Sequence, residues 1–292
     1  MLPHIDTHSK RWVLLEAQEP RPGVFGTSAY AGKEKHPPSL IIGLISMNTR
    51  IVVSVVGLWL ASTSATFGQF AFDVETGGVF PGYNDVRIPG KGGTSFSLTS
   101  ELKTESSIFV RGRVLYSFGS RNTLSVLVAP LMVKASGTIP KAVQFQDKTF
   151  GANTQLNAEW KFNSYRLTYR YDIAKSEQIK FGLGLTAKIR DARISLSGGG
   201  ASSTKTDLGF VPLINFRFLW NPGSTVGLLV EADALAAPQG RAEDVLAAVV
   251  LSLSDSYTMR AGYRILEGGA DNDTVYNFAL LHYVAFGVTV TL

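Results

Sequence analysis

Residues 179–190 read IKFGLGLTAKIR. Ile179, Phe181, Leu183, Leu185, Ala187 and Ile189 alternate with Lys180, Gly182, Gly184, Thr186, Lys188 and Arg190 across all 12 residues. A period of two puts the first set on one face of an extended strand and the second set on the other, whereas a helix would repeat every three or four. Length separates the remaining options. Strands of soluble proteins run about 5–6 residues, and a tilted strand that crosses a bilayer needs roughly 9–11. This strand is long enough to cross. The same alternation recurs at 165–171, where Tyr165, Leu167, Tyr169 and Tyr171 interleave with Arg166, Thr168 and Arg170.

The bulk composition agrees. The chain has 292 residues, 45% of them hydrophobic and 17% charged, against roughly 25% charged in a typical soluble domain. Mean hydropathy is only +0.11, far too polar for a bundle of membrane helices. One lipid face and one polar face on the same strands would produce this balance. There are no cysteines, which excludes disulfides and thiolate metal sites and suits an oxidising compartment. The net charge of +5 is spread through strand-like segments, with no run of five like charges and no basic helix. That distribution does not support nucleic-acid binding.

Two segments precede the strands. Residues 47–69, MNTRIVVSVVGLWLASTSATFGQ, have a single charge at Arg50, an apolar stretch from Ile51 to Ala61, and then small and polar residues. That is the three-part layout of a secretory signal peptide, with a core too short to span as a helix. Residues 1–46 carry Pro3, Pro20, Pro22, Pro37 and Pro38, mixed charges and no sustained period. They read as an upstream extension that is not native, with translation starting at Met47, or else as a disordered segment before an internal anchor. The folded domain is expected over 70–292.

Within 70–292 the parity of apolar residues predicts ten strands, near 70–80, 94–118, 122–135, 150–172, 177–196, 206–220, 224–235, 243–254, 257–268 and 274–292. Phe96, Leu98, Leu102, Ile108, Val110, Val114, Tyr116 and Phe118 keep one phase, so 94–118 reads as a single long strand. In 150–172 the apolar phase flips from even (Leu156, Ala158, Trp160, Phe162) to odd (Tyr165 to Tyr171). A β-bulge at 163–164 would flip every later side chain. With that bulge, short connectors at 119–121, 173–176, 221–223 and 255–256 alternate with mostly longer ones, as barrels with short periplasmic turns require. Splitting 94–118 and 150–172 into hairpins gives twelve strands and puts the long 136–149 segment on the short-turn side. Ten fits better, and the fold class is all-β: a single antiparallel up-and-down transmembrane barrel.

Aromatic residues give an independent check. Tyr116, Phe118, Tyr169, Tyr171, Phe181, Phe218, Trp220, Tyr257 and Phe286 fall outward near one end of their strands, as a girdle at a membrane interface would. With these features the chain resembles Gram-negative bacterial outer-membrane β-barrel proteins over 70–292. Phe286, Val288, Val290 and Leu292 share one face of the last strand. That strand is similar to the terminal strand read by the barrel-assembly machinery in this class, with Leu292 where the class usually carries Phe. The resemblance implies residence in the cell outer membrane, with lipid and the assembly machinery as partners.

Little in the sequence points to catalysis. Outside the excluded segments the one histidine is His282. Ten-stranded outer-membrane proteases of the resembled class use Asp-Asp and Asp-His pairs at the rim, and a loose analogue of that site would set it with Asp271 and Asp273. Its parity, shared with Leu280 and Val284, places it on the lipid face instead. No nucleophile-elbow context surrounds a serine, no His/Asp/Glu spacing suggests a metal, and no cofactor is implied. Gly90–Gly93 and Gly198–Gly200 lack the strand-to-helix setting of a phosphate loop and read as outer loops.

The informative residues are charged and inward by parity: Arg111, Arg113, Glu159, Arg166, Arg170, Lys180, Lys188, Arg190, Arg217, Glu231, Asp233, Arg260 and Arg264, with Lys161 and Asp172 beside them. A small barrel has little free bore, so these residues either pair into a plug or line a narrow passage favouring a small anionic solute or ligand. The reading is therefore a non-enzymatic outer-membrane barrel, structural or a narrow passive channel with a basic-leaning lumen. The alternatives are an outer-membrane hydrolase of protease or lipase type with a rim site near His282, and a soluble periplasmic β protein. The export signal makes a first prediction. N-terminal sequencing of the membrane-localised protein is expected to find a mature start close to Phe70, and a start within 1–46 would overturn the late-start reading.

Overall fold

The computed structural model describes residues 68–292 apart from Ser224 and Gln239. The expectations for 1–46, and for all but the last two residues of 47–69, lie outside the described residues. Ten long strands form the body: β1 (Gln69–Arg87), β2 (Ser107–Phe118), β3 (Asn122–Ala129, resumed at Met132–Thr138), β4 (Gln155–Lys175), β5 (Ile179–Gly198), β6 (Ala201–Trp220), β7 (Val226–Ala237), β8 (Gly240–Ser252), β9 (Tyr257–Asp271) and β10 (Tyr276–Thr291). Each pairs antiparallel with its sequence neighbours, and β1 closes the ring on β10 from Ala71↔Thr291 to Arg87↔Tyr276. Closure pairs the first strand with the last, as an open sheet would not, and the count of ten agrees with the sequence reading.

Short turns at 119–121, 176–178 and 253–256, and the junction of β6 with β7, gather at the end that holds Gln69 and Leu292. By the rule for this class that end is periplasmic. At the other end β5 and β6 meet in a two-residue hairpin, Gly199-Gly200, with φ of 58° and 80°. Two successive positive φ values make the type I′ turn that matches strand twist. The 197–205 connector predicted as an outer loop is therefore mostly strand. Gly184, an inward position with no evident demand in the sequence, holds two strands close: a Cβ there would lie 2.1 Å from the Tyr169 carbonyl oxygen.

Outside, an apolar belt encircles the barrel, including Ile108 at 78%, Leu185 at 69% and Phe210 at 64% exposure. Tyr169, Tyr171, Trp220 and Tyr257 are exposed near the periplasmic ends, and the Phe70 and Tyr116 rings lie 4.7 Å apart at the same level. A monomer in water would not expose so large a contiguous apolar surface.

Three expectations need correction. First, 94–118 is not one strand: β2 begins at Ser107, and residues 88–106 fold back across the extracellular mouth. There Leu98 N–H donates to Asn84 O at 2.8 Å and Thr94 N–H to Gln144 O at 3.0 Å. Phe96, Leu98 and Leu102, assigned to the lipid face by phase, are buried with Ile139, Val143 and Phe145 in a cap over the lumen. Second, β1 runs to Arg87 rather than stopping near residue 80, with its register shift between Pro81 and Tyr83. Third, β4 has no bulge at 163–164: it pairs with β5 without a shift from Gly182↔Asp172 to Ser197↔Asn157. Every even residue of β4 faces inward, from Leu156, Ala158 and Trp160 to Ser164, Arg166 and Arg170. The phase flips because the lumen changes. Polar side chains fill its periplasmic half, whereas the apolar cap fills its extracellular half, so inward residues turn apolar where the cap begins.

The belt and the exposed rim make opposite demands on one strand face. Leu185→Arg, near the middle of the belt, is expected to destabilise the barrel by about 2–4 kcal/mol. Ser195→Arg lies on the same face of β5 well above the belt, beside Glu159, and is expected to cost almost nothing. Urea unfolding in lipid vesicles compares them, and equal losses would rule out the placement of the belt.

Candidate functional site in the barrel lumen

The periplasmic half of the lumen is filled by one ionic layer. Asp244 on β8 stands at its centre. It accepts two hydrogen bonds from Arg111 at 3.0 Å, one from Arg166 at 2.6 Å and one from Arg264. Glu75 on β1 accepts from Arg264 at 2.8 and 2.9 Å and from Arg260 at 2.8 Å. Asp73 takes the other side of Arg260 and the Thr289 hydroxyl. Asp233 accepts from Arg166 at 2.7 Å and from Thr186 and Asn215 at 2.8 Å each. Toward the periplasm Glu231 pairs with Arg113 at 2.6 Å and Arg217 at 3.6 Å, and Arg170 reaches Asp172 at 3.8 Å. Asp244, Glu75, Arg166 and Arg264 are each less than 5% exposed.

Charge-assisted, partly bidentate contacts of this kind are short and directional. They fix the height of one strand against another across the barrel. A void beside Arg111 and Arg166 measures only about 20 Å³, room for little more than one water.

The structure therefore places Arg111, Arg113, Arg166, Arg170, Arg217, Glu231, Asp233, Arg260 and Arg264 in one layer. Lys180 sits half-buried at its periplasmic margin and Lys188 at its upper surface. Arg190 lies higher and pairs with Asp207 at 2.6 Å. Glu159 is a correction: it lies on the outer side of β4 above the belt, 3.4 Å from Arg193. Lys161 joins it on that face, paired with Asp191. Both had been turned inward by the bulge that does not form.

Sequence reasoning missed the three acids that organise the layer: Asp73, Glu75 and Asp244. For the first two a signal existed, since Phe72 and Val74 alternate with them. Asp244 was hidden because both faces of β8 are apolar on its periplasmic side, with Leu246 and Ala248 inside and Val249 and Leu251 outside.

Above the layer the lumen holds a cavity of about 390 Å³. Its walls are largely apolar, with Ile194, Leu235, Leu266 and Leu281; the charged lining is Lys188, Arg193, Lys205 and the ion pairs Arg190–Asp207 and Arg241–Glu267. His282 lies elsewhere. It points outward from β10, its Nδ1 2.5 Å from the Tyr263 hydroxyl, and no carboxylate among the described residues bonds it. Among the described residues no three His, Asp or Glu side chains cluster to hold a metal ion.

A closed ten-strand ring, an encircling apolar belt and an aromatic girdle at the short-turn end are now all in place. This is an outer-membrane β-barrel. No protein-family model matches the sequence, and no curated protein matches it. Solved structures of similar fold include the outer membrane protease OmpT from Escherichia coli, at 10% identity and a TM-score of 0.48, covering 80% of this chain and 99% of that one. The COG4313 outer membrane channel from Pseudomonas putida F1 is similar at 9% identity and TM-score 0.39, covering 79% and 97%. Ail, the attachment invasion locus protein of Yersinia pestis, is similar at 9% identity and TM-score 0.35, covering 77% and 99%.

Removing one member of a buried ionic network strands its partners. Asp244→Ala leaves three arginines short of an acceptor, and is expected to lower stability by roughly 3–5 kcal/mol. Glu159→Ala, on the exposed outer face, is expected to change it by well under 1 kcal/mol. Parallel urea titrations check the contrast, and similar midpoints would contradict a tight plug.

Proposed function

We propose that the protein is a non-enzymatic outer-membrane barrel whose lumen is plugged, and not a passive solute channel. The observation that carries this reading is Asp244, buried among Arg111, Arg166 and Arg264 drawn from three other strands. A conducting constriction keeps its charged side chains hydrated and free to exchange partners with passing ions. Here the guanidinium groups already hold carboxylates, and an anion would have to break two or more buried pairs to pass. The outward course of His282, with Tyr263 as its partner, speaks against a protease-like or lipase-like rim site, since a general base must reach a substrate together with a nucleophile.

Planar-bilayer recording of the refolded mature chain tests the proposal. The expected result is no sustained conductance step for the wild type, with leak appearing in Asp244→Ala. Stable, anion-selective steps from the wild type would overturn the plug. Peptide and phospholipid hydrolysis are expected to stay at background and to be unaffected by His282→Ala. Activity abolished by that substitution would favour the hydrolase.

A further inference from the structure

The wall of the barrel is not equally paired all round. β5 and β6 pair over twenty residues, from Ile179↔Trp220 to Gly198↔Ala201, and β7 and β8 over twelve. Between β6 and β7 only seven pairs form, Ile214↔Ala234 to Trp220↔Leu228. Above Ile214 the β7-facing edge of β6 has no strand partner among the described residues, and Leu235, Ala236 and Ala237 are paired only to β8. The seam therefore opens upward from that level.

The sequence contains the reason. Asn221 donates its N–H to Gln178 on the β5 side. Hydrogen-bonding direction alternates along an antiparallel strand, and β6 pairs with β5 without a register shift. Its odd residues therefore bond β5 and its even residues face β7. Pro212 is the first even position above Ile214, and proline has no N–H to continue the ladder.

The seam opens at the height of lipid. Eight residues separate the girdle residue Trp220 from Pro212, roughly 27 Å of strand. With the usual tilt that is roughly 20 Å of height, inside an apolar band about 25 Å tall. The side chains beside the seam are apolar and exposed: Ile214, Phe210 and Leu208, the last at 74%. Phe210 and Pro212, whose neighbours in the strand face inward, also line the 390 Å³ cavity. The cavity therefore reaches the seam from inside.

One buried cation faces that cavity without an anion. Lys188 is 2% exposed, and its Nζ lies 4.9 Å from the Phe162 ring centroid. Among the described residues it has neither a hydrogen bond nor a carboxylate within ion-pair reach, and Asp233 and Asp244 of the layer below are held by Arg166. An isolated buried ammonium is costly, and an anionic group entering the cavity would relieve that cost. Apolar walls, a basic group at the floor and a mouth in the outer-leaflet half of the belt describe a ligand with matching parts.

We infer that the cavity binds a single-chain amphiphile with an anionic head group, entering sideways from the membrane between β6 and β7. The head group meets Lys188 Nζ and the chain lies along Leu235, Leu266 and Leu281. This site is independent of the plug below it, so a conducting wild type would leave it standing.

The test uses the refolded barrel in phosphatidylcholine nanodiscs, with dodecanoate, dodecyl phosphate and dodecanol as probes competing against a fluorescent fatty-acid analogue. Both anionic probes are expected to bind at least tenfold tighter than dodecanol, and the tighter of the two identifies a carboxylate or a phosphate head. Lys188→Gln is expected to erase the anionic preference while dodecanol binding persists. Ala242→Trp, which fills the cavity, is expected to abolish binding of all three, with heat-modifiable gel migration confirming that it folds. Ala236→Trp at the seam is expected to slow association and dissociation together by tenfold or more and leave the equilibrium constant unchanged. Equal affinity for dodecanoate and dodecanol in the wild type, or an anionic preference that survives Lys188→Gln, would overturn the site. Unchanged rates in Ala236→Trp would overturn the sideways entrance.

Discussion

Asp244 is held by guanidinium groups from β2, β4 and β9, and Glu75 beside it is held by two arginines of β9, with Arg111 of β2 3.9 Å away. A barrel of ten strands has a narrow interior, so a charge brought inside is costly unless it meets an opposite one at the right height. That requirement couples strands that never touch in the sheet. Arg166 joins β4 to β7 through Asp233 and to β8 through Asp244, while Arg260 and Arg264 tie β9 to β1. Such pairs add little net stability beyond what packed apolar residues would supply, because desolvation offsets most of the attraction. Their effect is on register, since a one-residue slip of any contributing strand would strand several charges at once.

The ionic layer also determines what the rest of the interior must do. Only the periplasmic half is filled by it, and the extracellular half needs another filling. Residues 88–106 and the hairpin Val143–Phe145/Lys148–Phe150 supply one, burying Phe96, Leu98, Leu102 and Phe145 against Val86, Leu156 and Leu196. Each large side chain so buried contributes about 1.5–3 kcal/mol. The cap thus acts as a small hydrophobic core inside the mouth, and it explains why inward residues of β4 and β5 are polar below and apolar above.

The cavity of about 390 Å³ lies between the cap, the ionic layer and the wall. That place lies beneath the upper edge of β6, where Pro212 ends the ladder to β7. The proposed plug at one level and the inferred lipid entrance at another would together favour binding over conduction. Lys188, at the boundary between the two fillings, is the charge that the plug leaves over.

Much of this was legible in the residues. Alternation at 179–190 identified strand, face and span, because lipid imposes a strict period on any side chain that touches it. The girdle, the parity of connectors and the ten-strand count followed from the same constraint, and so did the inward set around Arg111, Arg166 and Arg264. What alternation could not supply was the nature of the filling. A strand reports only whether a face is apolar, and lipid and a hydrophobic cap look identical from that side. Leu156 and Trp160 were therefore turned outward by an imagined bulge, Glu159 inward, and Phe96 to Leu102 onto a strand that begins only at Ser107. Asp244 was invisible for the same reason, with apolar neighbours on both faces of β8. The sequence by itself determined which strands cross the membrane, because the solvent outside the barrel is uniform. Only the tertiary structure decided what lies within, because partners there come from loops and strands far apart in the chain.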